Sequence, residues 1–503
     1  MRKKIYKVHR TLSLIIAIPV LLWALSGFMH PLMTNIRPQL ATQLLPPLVI
    51  GSAYIKTDLA TALQQNHIDS INSFRLVHID TTWFYQVQLP QKPEPVYLSA
   101  VNGKELTAGN WLYAQYLARQ FLEGPLSPDS SAAPPATTSD PGTLHDCCDA
   151  ATSCVLNGSK GSKVIDAAML TAFDKEYKSI NRLLPVYKVG FERPDGIRIY
   201  VETTQDRFAF AMDNKRAAFD TVFRLLHTWD WLDILGKGKQ AVLFLLTSMA
   251  FITSVMGIYL FFATKSKKVN GNGLVKTRRW HRYTAIVAAL FTLMWTFSGA
   301  YHALSKFEDD TRDRYFVNTR FAAAALHLPL DSLMQIVKAP VTNISIVKID
   351  TVSYWQVYTK GDGGIQYVNT QHYSLLPEGD AKYAMFLAGR FSANPELAVR
   401  AVTPVTKFTD EYNFTDKRLP VWRVAYDTRR HERYYVETKT GRLSVRVDDA
   451  DLREGYSFAL FHKHHFMDWG GKALRDFSTM LWALVQVLMV TVGLILYFKW
   501  RSR

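Results

Sequence analysis

Four stretches of this chain run for about twenty residues with no acidic or basic side chain except a terminal histidine: 11–29, 241–262, 283–302 and 477–498. A hydrocarbon core roughly 30 Å thick is crossed by about 20 helical residues. Each stretch is therefore expected to span a membrane as a helix, because only helices and closed barrels satisfy every backbone polar group in lipid. The first stretch also has the basic start of a signal peptide, but it lacks an A-x-A cleavage site and a near copy of it recurs as the third span. It is expected to be a retained helix.

The charge is arranged to match. The chain has 59 Lys and Arg against 43 Asp and Glu, a net charge of +16. Almost all of this excess lies in three short segments without acids: Arg2, Lys3, Lys4, Lys7 and Arg10; the seven basic residues of 264–282; and Lys499, Arg501 and Arg503. Basic flanks stay in the cytoplasm, so both termini and the 264–282 linker are expected inside. The two long polar regions, 31–240 and 303–476, are expected outside. A basic excess confined to span ends is a topology signal and not a nucleic-acid surface, so no nucleic-acid partner is expected.

The second half of the chain repeats the first. His9-Arg10 opens span one and His281-Arg282 opens span three; Trp23 and Trp295, Ser26-Gly27 and Ser298-Gly299, and His30 and His302 follow at equal intervals. The outer regions match at a constant offset of 235: Leu184-Pro185-Val186-Tyr187 with Leu419-Pro420-Val421-Trp422, Val201-Glu202-Thr203 with Val436-Glu437-Thr438, and Phe223-x-x-x-His227 with Phe458-x-x-x-His462. Phe84-Tyr85-Gln86-Val87 similarly matches Tyr354-Trp355-Gln356-Val357. The expected fold class is an α-helical membrane protein with α+β extracytoplasmic domains, built from two tandem helix–domain–helix repeats. Parallel repeats of this kind are related by a pseudo-twofold axis along the membrane normal.

The expected organisation is residues 1–30 as N-terminus and first helix, 31–240 as the first outer domain, 241–263 as the second helix, 264–282 as a cytoplasmic linker, 283–302 as the third helix, 303–476 as the second outer domain, and 477–503 as the fourth helix and tail. Alternating runs such as 197–203 and 433–438 predict strands, and 113–121 and 383–391 predict helices packed on them. Residues 125–163 have no counterpart in the second half. Their Ser/Pro/Ala/Thr composition is that of an exposed insertion, and they hold all three cysteines, Cys147, Cys148 and Cys154. One disulfide with one spare thiol is the simple expectation there. His145 and Asp146 leave a metal site open, and no C-x-x-C-H is present for covalent haem.

Six of the fourteen histidines occupy matched positions at span ends: His9 and His281 on the inner face, His30, His302, His227 and His462 on the outer. Ionisable residues at such depths are costly and point to function. At 100° per residue, positions 9, 23, 27 and 30 lie within about 60° of one stripe, and the 21 residues from His9 to His30 rise roughly 32 Å. Neutral imidazoles on facing helices are the usual axial ligands of an electron-transferring haem, and Gly27 and Gly299 give room for a macrocycle. His9 is expected to face His281. The outer pair is either His227 with His462 or one that involves His30 and His302. Trp23 and Trp295 read as packing residues, His464 and His465 as surface residues, and Arg10 and Arg282 as topology markers or partners for propionates.

Together these motifs, His-Arg before an apolar helix ending in Ser-Gly, a Leu-Pro-Val-Tyr turn, and Leu-His ahead of a helix with Gly-x-x-Leu, resemble the PepSY-associated transmembrane family, which includes iron-regulated membrane proteins and siderophore reductases. The resemblance covers nearly the whole chain twice over. It implies PepSY-like outer domains in the periplasm of a bacterium, an inner-membrane location, and haem b, two per chain, held by His9, His281, His227 and His462, with His30 and His302 as further candidates. It also implies reduction of ferric chelates, whose hard oxygen donors hold Fe(II) less well than Fe(III). No flavin or nicotinamide fingerprint is present, so the expected electron donor is membrane quinol or a partner protein. The alternative reading is a membrane-anchored module that binds a peptide, a protease or an envelope complex without redox activity. A solute carrier is disfavoured because no span contains an acid or a paired Gly/Pro break.

Overall fold

The computed structural model describes residues 2–502 except 125–162, 308–315 and the single positions 267, 318, 362, 393 and 395. The cysteines, His145 and Asp146 lie outside the described residues. The chain divides into two compact units. One comprises 1–37, 215–310 and 449–503; the other comprises 38–214 and 311–448.

The first unit contains four helices long and apolar enough to cross a membrane, Arg2–Asn35, Lys237–Ala263, Gly273–Ser305 and the C-terminal stretch His465–Arg501. The fold is thus that of a helical membrane protein. These helices exceed the expected spans at both ends because the polar flanks are themselves helical. Much of the 264–282 linker, for example, belongs to the third helix, whose first turn is capped by the Asn272 side chain accepting from the Leu274 and Val275 amides. The first and third helices each pack against the second and fourth, so they stand on a diagonal of the bundle. Ile16, Ala17, Val20, Ala250 and Val490 form a buried apolar cluster within it.

The second unit is α+β. Its first half has a three-stranded antiparallel sheet, Ser73–Ile79, Thr82–Gln88 and Val96–Ser99, then the helix Gly109–Glu123 and a four-stranded antiparallel sheet ending at Met212. Its second half has three strands, Val341–Ile349, Val352–Thr359 and Ile365–Asn369, then the helix Gly379–Ser392 and four strands ending at Val447. Matched residues do matched work. Gln86 Nε2 donates to Tyr97 and to the Thr203 carbonyl at 2.9 Å, and Gln356 Nε2 donates to Tyr367 and to the Thr438 carbonyl at 3.1 Å. The Leu184–Pro185 and Leu419–Pro420 bonds are both cis.

The boundaries differ from those expected in two respects: residues 215–240 and 449–476, expected in the outer domains, belong to the helical unit, and the outer segments are joined. Residues 38–214 and 311–448 are not two separate domains, because Leu63, Phe74 and Tyr85 share one apolar core with Leu333, Ile344 and Trp355. The halves are also joined by charge. Matched Glu202 and Glu437, 1% and 0% exposed, lie with Arg207 and Arg418 in one buried cluster. Neither half buries its conserved-spacing glutamate without an arginine from the other.

Candidate functional site: histidine pairs at the two ends of the bundle

At the end of the bundle that carries the basic residues, His9 and His281 line one cavity of about 610 Å³. They project from the two diagonal helices, which is why a sequence stripe on spans one and three converges there. Each ring lies close to a glycine of a neighbouring helix. A Cβ on Gly257 would come 3.3 Å from His9 Cε1, and one on Gly493 would come 3.1 Å from His281 Cε1. These are the glycines of the two Gly-x-x-Leu motifs, whose role the sequence alone did not show. The Nδ1–H of His9 donates to the Thr253 carbonyl at 3.1 Å, which fixes the tautomer and leaves Nε2 with its lone pair. The matching Nδ1 of His281 is buried beside the Met489 backbone without a hydrogen bond of normal geometry.

Arg10, Lys265, Arg278, Arg279 and Arg282 form the rim of this cavity. Three of them have structural partners, Arg279 lying 5.8 Å from the Tyr283 ring centre. Arg282 donates to the Phe261 and Thr264 carbonyls at 2.8 Å, closing the C-terminal turn of the second helix, and Arg10 sits 4.4 Å from the Trp500 ring centre.

At the other end, His227 and His462 come together with ring centres 6.1 Å apart and planes at 80°. Each lies in a π-helical turn, Arg224–Thr228 and Phe458–His462, a local widening common at functional sites. Trp23 Nε1 donates to the His227 carbonyl at 3.1 Å, and Trp295 Nε1 to the His462 carbonyl at 3.2 Å. The two tryptophans therefore position the histidine backbones as well as pack. His227 Nδ1 lies 2.9 Å from Ser26 Oγ. The matched groups, Ser298 Oγ and His462 Nδ1, are both buried with no partner among the described residues.

His30 and His302 are not members of this pair. His30 lies 5.3 Å from the Phe223 ring, whose other neighbour is His227 at 4.6 Å. His302 stacks on Phe458 at 4.6 Å, and Phe458 stacks on His462 at 4.7 Å. One phenyl ring thus separates each rim histidine from the central pair. His302 Nδ1 is also 2.5 Å from Glu454 Oε1. Of the stripe glycines, Gly27 faces open space, whereas Gly299 meets Thr247 at 3.4 Å.

His464 corrects the surface assignment. It is fully buried and stacks on Trp295 at 5.4 Å with planes 3° apart, as Trp229 stacks on Trp23 at 5.0 Å and 13°. Both residues have left-handed backbones, with φ of 56° and 52°. An imidazole does an indole's packing work here, so the repeat continues through a position where the residue types differ. His465 remains half-exposed beside Asp468.

The two ends fit a b-type haem by different tests. The inner end offers two imidazoles across a cavity within the usual range for cofactor sites, about 300–1,000 Å³, with glycine backbones beside both rings. The outer end offers ring centres at 6.1 Å, and two imidazoles each about 2 Å from one shared metal would have centres about 6 Å apart.

Fold and site thus define a helical membrane protein with an α+β unit and an imidazole pair at each end of its bundle. The chain matches no protein-family model and no curated protein.

Proposed function

We propose that the chain is a haem b oxidoreductase of a bacterial inner membrane, akin to the PepSY-associated transmembrane family, that passes electrons across the bilayer to a periplasmic acceptor, a ferric siderophore or another ferric chelate. The observation that carries this reading is the placement of one imidazole pair at each end of a single four-helix bundle. His9 and His281 hold the inner haem, and His227 and His462 hold the outer. When bound, each haem supplies one-electron redox chemistry. The chain's own residues set the tautomer, as at His9 and Thr253, and fix the outer backbones through Trp23 and Trp295.

The same element order in the two halves supports tandem repeats related by a pseudo-twofold axis along the membrane normal. The distribution of basic residues supports cytoplasmic termini and a periplasmic α+β unit. Membrane quinol or a partner protein serves as electron donor.

The test is anaerobic reoxidation. Protein reduced with dithionite and freed of excess reductant is mixed with a ferric hydroxamate, and Fe(II) is trapped with a chromogenic chelator. Loss of the reduced haem bands with one Fe(II) trapped per electron is expected. Bands that persist over a wide range of ferric chelates would remove the acceptor assignment.

A further inference from the structure

Among the places where the lining of the inner cavity departs from the repeat, two near the middle of the spans change from apolar in the first half to polar in the second. Aligned on His9 and His281, Thr292 stands where the first half has Val20; aligned on Gly257 and Gly493, Gln486 stands where it has Ala250. All four residues line the cavity. Thr292 and Gln486 are 7% and 4% exposed, and they sit near the middle of spans 283–302 and 477–498, among apolar residues of the bundle.

Proton counting shows what this pair leaves over. Thr292 Oγ1 lies 2.8 Å from the Ala288 carbonyl and 2.7 Å from the Gln486 side-chain oxygen. A hydroxyl has one proton to give. If it goes to Gln486, both amide N–H groups are unused. If it goes to Ala288, the amide is turned so that one N–H donates to Thr292, and the other N–H and the carbonyl are unused. In either arrangement at least one Gln486 N–H has no hydrogen-bond partner among the described residues, and because its nitrogen is not fully enclosed by protein it opens on the cavity that Gln486 lines. The first half shows that the bundle packs with Val and Ala at these positions, so packing does not require the amide.

We propose that Thr292 and Gln486 form a binding site for a quinone headgroup at the deep end of the inner cavity, with Gln486 donating a hydrogen bond to a quinone carbonyl oxygen. A ligand here must be lipid-soluble, carry an acceptor oxygen and reach the middle of the bilayer. Phospholipid ester oxygens stay near the interface, whereas a quinone ring lies among acyl chains. The site deepens the redox reading by naming the donor class, and it rests on that reading only there.

The experiment uses full-length protein in detergent and titrates decylubiquinone, read by quenching of tryptophan fluorescence, alongside a haem count on the same samples. Gln486→Ala and Thr292→Val install the residues of the other half, and Gln486→Met keeps the side-chain volume. Saturable binding to the wild-type chain is expected, about tenfold weaker in Gln486→Ala and Gln486→Met, with haem content unchanged. No saturable binding, or equal affinity in wild type and both Gln486 variants, overturns the site. Haem present without quinone binding removes this site and leaves the redox reading standing. Gln486-dependent quinone binding to a folded chain without haem does the reverse.

Discussion

Trp295 donates its indole N–H to the backbone carbonyl of His462 at 3.2 Å, and Trp23 does the same to His227 at 3.1 Å. Within the bundle these carbonyls have left the regular helical ladder, because each lies in a π-helical turn. Trp295→Phe keeps most of the ring and removes the donor. It is expected to lower stability by roughly 1–3 kcal/mol, the cost of an unpaired buried carbonyl. A redox titration should find the midpoint of one haem shifted and that of the other unchanged.

The glycines against the inner rings make a second prediction. With a Cβ on Gly493 only 3.1 Å from His281 Cε1, Gly493→Val must displace the imidazole or the helix. Haem content is expected to fall from two per chain to one, measured as the pyridine haemochrome. Gly299→Ala, whose Cβ meets only Thr247 at an ordinary 3.4 Å, should retain both.

The phenyl rings between the rim histidines and the central pair separate two classes of variant. His462→Ala or His227→Ala should lose the outer haem while leaving the inner one. His30→Ala and His302→Ala should retain two haems, because Phe223 and Phe458 stand between these rings and the pair. A lost haem in either rim variant would reassign the outer ligands.

The α+β unit has its own pH dependence. Burial pushes the Glu437 carboxyl upward, but Arg207 and Arg418 overcome this and hold it well below its ordinary value of 4.5. A carboxylate whose pKa is depressed by folding contributes stability that is fully present above the unfolded value and is lost as pH falls toward the folded one. Resistance to urea, followed by circular dichroism of the full-length protein, should therefore decline as pH drops below about 4.5. Glu437→Gln should remove much of that decline and destabilise the fold by about 3–5 kcal/mol at neutral pH, by leaving buried arginine charge uncompensated.

Periodicity and spacing made much of this molecule legible. Spans follow from uncharged length, and the pairing of His9 with His281 follows from one stripe repeated on two helices. The matched glutamines and glutamates marked the repeat, but the contacts they make were visible only in the structure. Other features depend on packing between segments remote in sequence. Nothing local shows that Gly257 and Gly493 lie against imidazoles, that the two outer segments share a core through Tyr85 and Trp355, or that Phe223 and Phe458 screen His30 and His302. His464 was misread for a related reason: residue identity suggested exposure, whereas its position in the repeat, opposite Trp229, is what decides its burial.

The most direct test of the central claim is the haem stoichiometry of the detergent-purified chain, from its oxidised and dithionite-reduced spectra and a pyridine haemochrome assay. Two low-spin b-type haems per chain are predicted. A folded preparation, produced with haem available and containing none, would contradict the account and leave the histidine pairs as polar packing at the ends of an anchor.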